Sequence, residues 1–285
     1  VEEASVRSGF KIQEIAAVID EKPLLNEELM ELGHKARLAG DMEKAVQYFQ
    51  EAADAGEHGA WYQMGYAYQQ GSGVEQSYEK ALMWFEKLLD AGDVDAWYLL
   101  GTVYEDMENY DRAVECYEKQ IEEEGTCKYL AYYGLAKAYR YGWGKEENIP
   151  LALDYYQRAA GNGEIEAMVE LGEMYHYGQL VGKNDDIANY WFEKAANSYD
   201  GNYAAFCHLG MAYYWGTGKE EDYDKAEKYL IKALEAGEDN ALYTLGMVYR
   251  DKEDYEKAMS GEKGAYVAPS IVYIPVEKAR EVNAV

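Results

Sequence analysis

Serine and lysine stand three residues apart at three places in the chain, a spacing found in serine enzymes that react with penicillins. The pairs are Ser8 with Lys11, Ser77 with Lys80, and Ser260 with Lys263. Such enzymes also carry Ser-Asp-Asn and Lys-Thr-Gly, and neither string occurs in this chain. We therefore interpret the three pairs as chance matches and predict no catalytic residue.

Glycines before lysines and the histidines are the next residues that could bind a ligand. Gly-Lys pairs begin at Gly144, Gly182 and Gly218, but none has the second glycine or the following Ser or Thr of a phosphate-binding loop. The histidines are too far apart along the chain for the short spacing of a zinc site; they are His34, His58, His176 and His208. The carboxylates follow no calcium-loop pattern. We predict no cofactor and no metal.

The charge of the chain narrows the class of partner. Its 285 residues contain 27 Lys and Arg against 54 Asp and Glu, a formal net charge of -27. This charge disfavours binding to nucleic acid or to an anionic membrane surface and favours a basic or neutral partner. It equally serves to keep a large exposed surface in solution. Aromatic residues are mostly tyrosine, 30 Tyr against 6 Trp and 5 Phe, which suits half-buried contacts and binding surfaces.

Cysteines and hydropathy bear on the compartment. Cys116, Cys127 and Cys207 are too few and too irregular for a disulfide framework, so a reducing, cytoplasmic location fits best. A bridge between Cys116 and Cys127 stays open. No stretch approaches the roughly 18 apolar residues of a membrane span. Because the first residue is Val, a removed signal peptide also stays open.

A nine-residue string, Ala-x-x-x-Leu/Met-Gly-x-x-Tyr, recurs six times at steps of 35 to 38 residues, with Ala for Gly in the third copy. The copies begin at Ala60, Ala96, Ala131, Ala167, Ala205 and Ala241. Their apolar spacing predicts amphipathic helices, with small residues where a neighbouring helix approaches closely. The final tyrosines are predicted to be core packing. They are Tyr68, Tyr104, Tyr139, Tyr175, Tyr213 and Tyr249.

A second helical segment ending near a glycine follows each of the first five strings. These segments start at Lys80, Arg112, Leu151, Ile187 and Lys225. The loop between the two halves reads GSGV from Gly71, GWGK from Gly142, GTGK from Gly216, and GQLVGK, a stretched form, from Gly178. Together these motifs closely resemble Sel1-like repeats, a branch of the tetratricopeptide superfamily, over about residues 59–258.

The resemblance implies an all-α fold, a right-handed α/α superhelical solenoid of Sel1-like and tetratricopeptide-like helix hairpins. The repeats from Ala96 and Ala241 have the short turn of ordinary tetratricopeptide repeats, and so does the segment from Leu29. The chain therefore reads as a mixture of the two repeat types.

The two ends fall outside this pattern. We predict a capping helix or extension for residues 1–22, the solenoid for 23–258, and a non-repeat tail for 259–285. Pro269 and Pro275 make the tail read as extended. It is either a flexible tail ending in a short helix or a segment lying in a groove of its own or a neighbouring solenoid.

The resemblance also places the first helix of each repeat on a concave surface. Residues two before, two after and five after the Leu/Met position are then predicted to face a partner. The predicted partner-binding residues are Tyr62, Tyr66, Tyr98, Tyr133, Arg140, His176, Tyr214 and Tyr243. Aromatic side chains anchor many peptide interfaces. The same tyrosines could equally pad contacts between adjacent first helices.

Three functions follow from the resemblance. The leading interpretation is a scaffold, not an enzyme, that binds a protein or peptide. The second is a structural, self-assembling solenoid with no dedicated peptide ligand, and the sequence leaves the oligomeric state open. The third and remote one is a lactam- or peptide-processing hydrolase, an activity that has been assigned to some proteins of this kind.

Overall fold

The computed structural model describes residues 25–123, 125–198 and 201–252. The predicted capping helix of residues 1–22 and the predicted tail of residues 259–285 lie outside this part of the chain. All regular secondary structure in the described residues is helical, which confirms the predicted all-α class. The chain divides into two compact units between residues 108 and 109.

The first unit contains five described helices, which pack in sequence order. They are α1 (Asn26–Leu38), α2 (Met42–Asp54), α3 (His58–Gln70), α4 (Tyr78–Asp90) and α5 (Ala96–Asp106). Helices α1 with α2 and α3 with α4 form hairpins, and α5 packs on α4. The core between them holds Phe49, Met64 and Trp84, all buried.

The second unit contains eight described helices in the same arrangement. They are α6 (Tyr110–Glu122), α7 (Lys128–Tyr141), α8 (Ile149–Gly161), α9 (Ile165–Tyr177), α10 (Asp185–Ala196), α11 (Tyr203–Trp215), α12 (Tyr223–Glu235) and α13 (Ala241–Asp251). Hairpins form from α7 and α8, α9 and α10, and α11 and α12. Each second helix also packs on the first helix of the next hairpin, which is how stacked repeats bury a continuous core.

Small residues permit the close approach of the two helices in a hairpin. A Cβ atom on Gly210 would lie 2.6 Å from Cγ of Leu230, and one on Gly172 would overlap the ring of Phe192. The Leu/Met residues beside these glycines are buried, as predicted. Among the six predicted core tyrosines, Tyr249 is buried and the other five are half-buried. The small and the apolar positions of the repeat string are therefore the places where helices contact one another in the core.

The loops inside four hairpins share one length and one hydrogen bond. Residues 71–77, 142–148, 178–184 and 216–222 each begin with a glycine at positive φ and end with the residue that caps the next helix. The backbone N–H of that cap residue donates to a carbonyl in the preceding helix at 2.8–2.9 Å. The donor and acceptor pairs are Ser77 to Tyr68, Asn148 to Tyr139, Asn184 to Tyr175, and Asp222 to Tyr213.

The loop that starts at Gly178 corrects one expectation. The sequence predicts a stretched loop there, but its seven residues match the other three loops. Leu180 stands where the others have their second glycine, and it takes φ +69°. The later Gly182 suggested the stretch, yet a Cβ atom on it would meet no neighbouring atom within 4 Å. A leucine therefore adopts the left-handed conformation that glycine provides elsewhere.

The three cysteines are free thiols in the structure, so no bridge joins Cys116 and Cys127. Cys116 and Cys207 are buried, and burial raises the pKa of both thiols to about 11. No helix in the described ranges is long and apolar enough to cross a membrane.

Candidate functional site

Several residues predicted to face a partner also bond to the next first helix or to the turn that precedes it. In the first unit, the Tyr62 hydroxyl donates to Oδ2 of Asp93 at 2.7 Å. In the second unit, Arg140 of α7 forms an ion pair with Glu170 of α9. Tyr214 of α11 is only 4% exposed. Its hydroxyl lies 2.6 Å from Oδ2 of Asp251, the last residue of α13, and donates to it.

The other predicted residues differ in how much of each side chain is accessible. Tyr98 and Tyr133 are half-buried, and burial, aided by the charge of Glu170, raises the pKa of Tyr133 above its usual range. Tyr66 and Tyr243 are exposed. Tyr66 also lines a groove of about 270 Å³ in the first unit, between α2 and α3. The predicted set thus contains one buried residue, Tyr214, two exposed ones, Tyr66 and Tyr243, and five that are half-buried.

A row of exposed aromatic residues stands one position beyond the predicted set. Tyr141, Tyr177 and Trp215 are each the last residue of a first helix, and each precedes the first glycine of its loop. They are 47%, 56% and 60% exposed, respectively. We call these three residues the aromatic row. The sequence carries a signal for it, since an aromatic residue precedes the loop glycine in YRYG, YHYG and YYWG.

A cavity of about 150 Å³ opens beside the aromatic row between α9 and α11. It is lined by His176, Asn189, Phe192, His208, Met211, Ala212, Trp215 and Thr217. The His208 ring stacks on Phe192 with ring centroids 4.4 Å apart and planes at 5°. The His176 ring lies edge-on to His208 at 5.8 Å. The predicted residue His176 therefore lines a cavity together with Asn189 and Phe192 of its own repeat and with residues of the next repeat.

Each histidine of the cavity lies within hydrogen-bond distance of a carboxylate. Nδ1 of His176 lies 2.8 Å from Oδ1 of Asp185, and Nε2 of His208 lies 3.2 Å from Oε1 of Glu173. The hydrogen bond with His208 lowers the pKa of Glu173, so this carboxyl is ionised and can only accept. Nε2 of His208, which faces Glu173, therefore carries a hydrogen and donates it.

The loops next to the aromatic row leave carboxylates at the surface. Lys145 bonds to Glu118 of α6 at 2.9 Å, and Lys219 bonds to Glu193 of α10 at 2.5 Å. The acidic residues beside these two lysines are exposed. They are Glu146, Glu147, Glu220 and Glu221. The lysines of these two loops thus form ion pairs with the preceding repeat, while the glutamates give the exposed surface of the loops a negative charge.

The Ser-x-x-Lys pair at Ser77 has a structural role, and the described residues contain no candidate metal site. Oγ of Ser77 accepts the backbone N–H of Lys80 at 3.4 Å and so caps α4, which explains this Ser-x-x-Lys pair. The other two pairs lie outside the described residues. Over the described ranges, no group of three or more His, Cys, Asp or Glu could hold a metal ion.

Stacked helix hairpins of this kind define an all-α repeat protein. The Sel1 repeat model matches residues 31–57, 60–93, 130–164, 165–200 and 205–238. These matches cover more than half of the sequence, and the chain belongs to the Sel1 repeat family. The tetratricopeptide repeat model matches residues 94–122 and 239–260, which confirms the predicted mixture. The segment 31–57 matches the Sel1 model although its turn is short.

Two examples illustrate the similarity of this chain to solved structures of the same fold. A Sel1 repeat protein from Oxalobacter formigenes is 25% identical with a TM-score of 0.64, and the match covers 88% of this chain and 99% of that one. A protective antigen present in uropathogenic Escherichia coli strains, displaying an SLR fold, is 26% identical with a TM-score of 0.60. That match covers 91% of this chain and 53% of the antigen.

One curated relative is a putative ERAD-associated E3 ubiquitin-protein ligase component of Schizosaccharomyces pombe. It is 28% identical over 87 residues, which make up 30% of this chain and 12% of the relative. The similarity therefore spans a small part of that protein.

Proposed function

We propose that this protein is a protein-binding scaffold, not an enzyme, and that it binds a peptide segment of its partner along the aromatic row. The observation that carries the proposal is the register of Tyr141, Tyr177 and Trp215 at the ends of three successive first helices. Exposed aromatic residues in register suit a ligand that runs across the repeats, because rings supply large contact areas at low entropic cost.

The family and one relative support a role in an assembly. Sel1 and tetratricopeptide repeats are typical of protein-interaction scaffolds, and the Schizosaccharomyces pombe relative is named as a component of a ligase. Cysteines that form no bridge fit a reducing compartment, so we propose that the protein works in the cytoplasm.

We propose different roles for the accessible and the less accessible residues of the set predicted from the sequence. His176 contacts the partner beside the aromatic row, and the exposed rings of Tyr66 and Tyr243 extend the binding surface within their own units. The remaining five support the surface of their own unit from beneath. They are Tyr62, Tyr98, Tyr133, Arg140 and Tyr214.

The test uses an array of synthetic peptides of defined sequence, followed by fluorescence polarisation with the strongest binder. The triple variant Tyr141→Ala, Tyr177→Ala, Trp215→Ala should weaken that peptide by more than about tenfold, as removal of interface anchors does. The matched control is the double variant Tyr190→Ala, Tyr203→Ala, since both rings are 50% exposed but lie outside the row. Equal binding by the triple variant and the wild type would refute the proposal.

A further inference from the structure

We infer that the groove of about 270 Å³ between α2 and α3 binds residues 265–276 of a second copy of this chain. We call these residues the apolar segment. The ligand of this site is the protein itself, and the site lies in the first unit, so it goes beyond the scaffold surface proposed along the aromatic row. Three features carry the assignment: the apolar walls of the groove, the composition of the segment, and the distribution of charge along the chain.

The groove presents apolar side chains from both helices. On α2, Met42 is 37% exposed and Val46 is half-buried, and on α3 the side chain of Tyr66 is 43% exposed. Phe49 also lines the groove and is buried. The volume lies near the lower end of the range of about 300–1,000 Å³ for ligand pockets. The groove therefore suits a few apolar side chains of a peptide.

One position of this groove differs in polarity from its counterpart in the second unit. Val46 follows Ala45 in α2, as Asn189 follows Ala188 in α10. Nδ2 of Asn189 donates to the carbonyl oxygen of Thr217 in the next loop at 2.8 Å. A valine side chain cannot donate, so Val46 leaves apolar surface at the position where the second unit has a hydrogen bond between repeats.

The apolar segment reads AYVAPSIVYIPV and contains no charged residue. Its centre, Ile271 to Ile274, consists of β-branched and aromatic residues, which favour an extended backbone. Pro269 and Pro275 flank this centre and disfavour helix. Extended apolar peptides bind grooves through alternate side chains. The same composition, left exposed, promotes association between chains.

The charge of the chain favours the apolar segment over other parts of a second copy. Residues 259–285 contain three acidic and three basic residues, so the net charge of -27 lies in residues 1–258. Two such acidic bodies repel each other, and the uncharged segment is a part that can approach with little repulsion. Among the described residues that line the groove, only Arg37 carries a charge. The groove itself therefore adds no negative charge against the segment.

The order of the groove and the segment along the chain favours a second copy as the source of the ligand. The groove lies in the first two described hairpins, and the match to the tetratricopeptide repeat model ends at residue 260, before the apolar segment. Repeats in such arrays contact their neighbours in sequence. A site in the first hairpins and a ligand after the last repeat would join copies head to tail, which is a heterologous mode of association.

The first experiment measures binding of a fluorescein-labelled peptide of residues 264–278 to the full chain by fluorescence polarisation. The control peptide carries Ile271→Asp and Ile274→Asp and should bind about tenfold more weakly or worse, because a carboxylate loses hydration in an apolar groove. The groove variant Met42→Asp should also weaken the normal peptide by about tenfold. Met42 is the first residue of α2, where the helix dipole favours an aspartate. Met83→Asp is the matched control, because Met83 is 43% exposed on α4 and lies outside the groove.

A second experiment measures the association of copies by sedimentation velocity. The mass of the wild type should rise with concentration. Met42→Asp and the tail variant Ile271→Asp, Ile274→Asp should each stay monomeric. An equimolar mixture of these two variants should form a dimer, because the intact groove of the tail variant meets the intact segment of Met42→Asp. If circular dichroism shows that Met42→Asp is unfolded, Tyr66→Ala replaces it.

The other outcomes overturn the inference, and they distinguish the remaining occupants. Equal binding of the normal peptide by the wild type, Met42→Asp and Tyr66→Ala would mean that the groove is not the site. A monomeric wild type, with tighter peptide binding by the tail variant, would place the segment in the groove of its own copy. Weakened binding of an array peptide but not of the tail peptide by Met42→Asp would make an external partner the occupant. The triple variant of the aromatic row should bind the tail peptide normally, so either proposal can fail without the other.

Discussion

A Cβ atom on Gly144 would lie 2.5 Å from the backbone carbonyl oxygen of Tyr110. The loop between α7 and α8 thus contacts the first residue of α6, the helix that precedes this hairpin. Equivalent approaches recur: a Cβ atom on Gly73 would meet the carbonyl oxygen of Met42, and one on Gly218 would lie 2.9 Å from the carbonyl carbon of Asp185. The second glycine of the Gly-x-Gly loop is therefore needed for two reasons, a left-handed backbone and the absence of a side chain at the junction between repeats.

Replacing Gly144 by Ala tests this double requirement. Gly142 is the matched control, because its φ of +71° is close to the +65° of Gly144 but its Cβ would meet nothing nearer than 3.7 Å. We expect Gly142→Ala to cost about 1 kcal/mol through backbone strain. Gly144→Ala should cost a further 1–3 kcal/mol or so, because the methyl group forces backbone apart. Urea unfolding followed by circular dichroism measures both, and equal losses would contradict the junction role.

Leu180 should be a strained residue in the loop of residues 178–184, at the position that Gly144 occupies in its own loop. Its φ of +69° is costly for a leucine, and its side chain is 51% exposed, so little packing would be lost on removal. Leu180→Gly should raise the free energy of unfolding by about 0.5 kcal/mol, after the greater freedom of glycine in the unfolded chain is subtracted. Leu180→Ala keeps a Cβ and should give no gain. A loss of stability in Leu180→Gly would show that the leucine side chain holds the loop.

The repeat string made most of this fold predictable. Alanine and glycine at fixed positions mark where helices touch, and the leucine beside them marks the core, so the sequence predicts which faces are buried. Leu180 could not be predicted to take a left-handed conformation, because the length of its loop becomes clear only from the caps at both ends. Gly182 supplied a misleading second glycine.

Glu164 should make stability depend on pH. Burial raises the pKa of its carboxyl to about 8, and a hydrogen bond with Glu166 adds to the effect. A glutamate in the unfolded chain titrates near 4.3. The protonated form is therefore favoured by folding, so its contribution is complete below about pH 4.3 and is lost as pH rises through about 8.

The variant Glu164→Gln removes this titration. Its melting temperature should match that of the wild type near pH 4.5 and exceed it at pH 8.5, by roughly 2–4 °C for each kcal/mol. Glu147→Gln, at an exposed position, is the control and should change little at either pH. A difference between Glu164→Gln and the wild type that stays constant across this range would show that the carboxyl is not buried as a neutral acid.

The candidate site was less predictable than the fold. A rule based on distance from the leucine position selects residues by their direction on the helix. It cannot tell whether a neighbouring repeat already occupies that direction, as Asp251 does for Tyr214. The aromatic row lies one residue further along, where the helix ends and the next repeat no longer covers the ring. An aromatic residue directly before the loop glycine is the feature that sequence analysis could have used.

Tyr214 separates a supporting role from a binding role. Its buried hydroxyl donates to Asp251 at 2.6 Å, and Tyr214→Phe keeps the ring while removing that bond. We expect the free energy of unfolding to fall by about 1 kcal/mol, the usual worth of such a bond, with no change in peptide affinity. Tyr243→Phe is the control, because that ring is 53% exposed and should leave stability unchanged. Any weakening of peptide binding in Tyr214→Phe would mean that the hydroxyl contributes to binding, either by contact with the partner or by positioning Trp215, whose ring lies 4.6 Å from that of Tyr214. Tyr214 would then belong to the binding surface, as the sequence predicts.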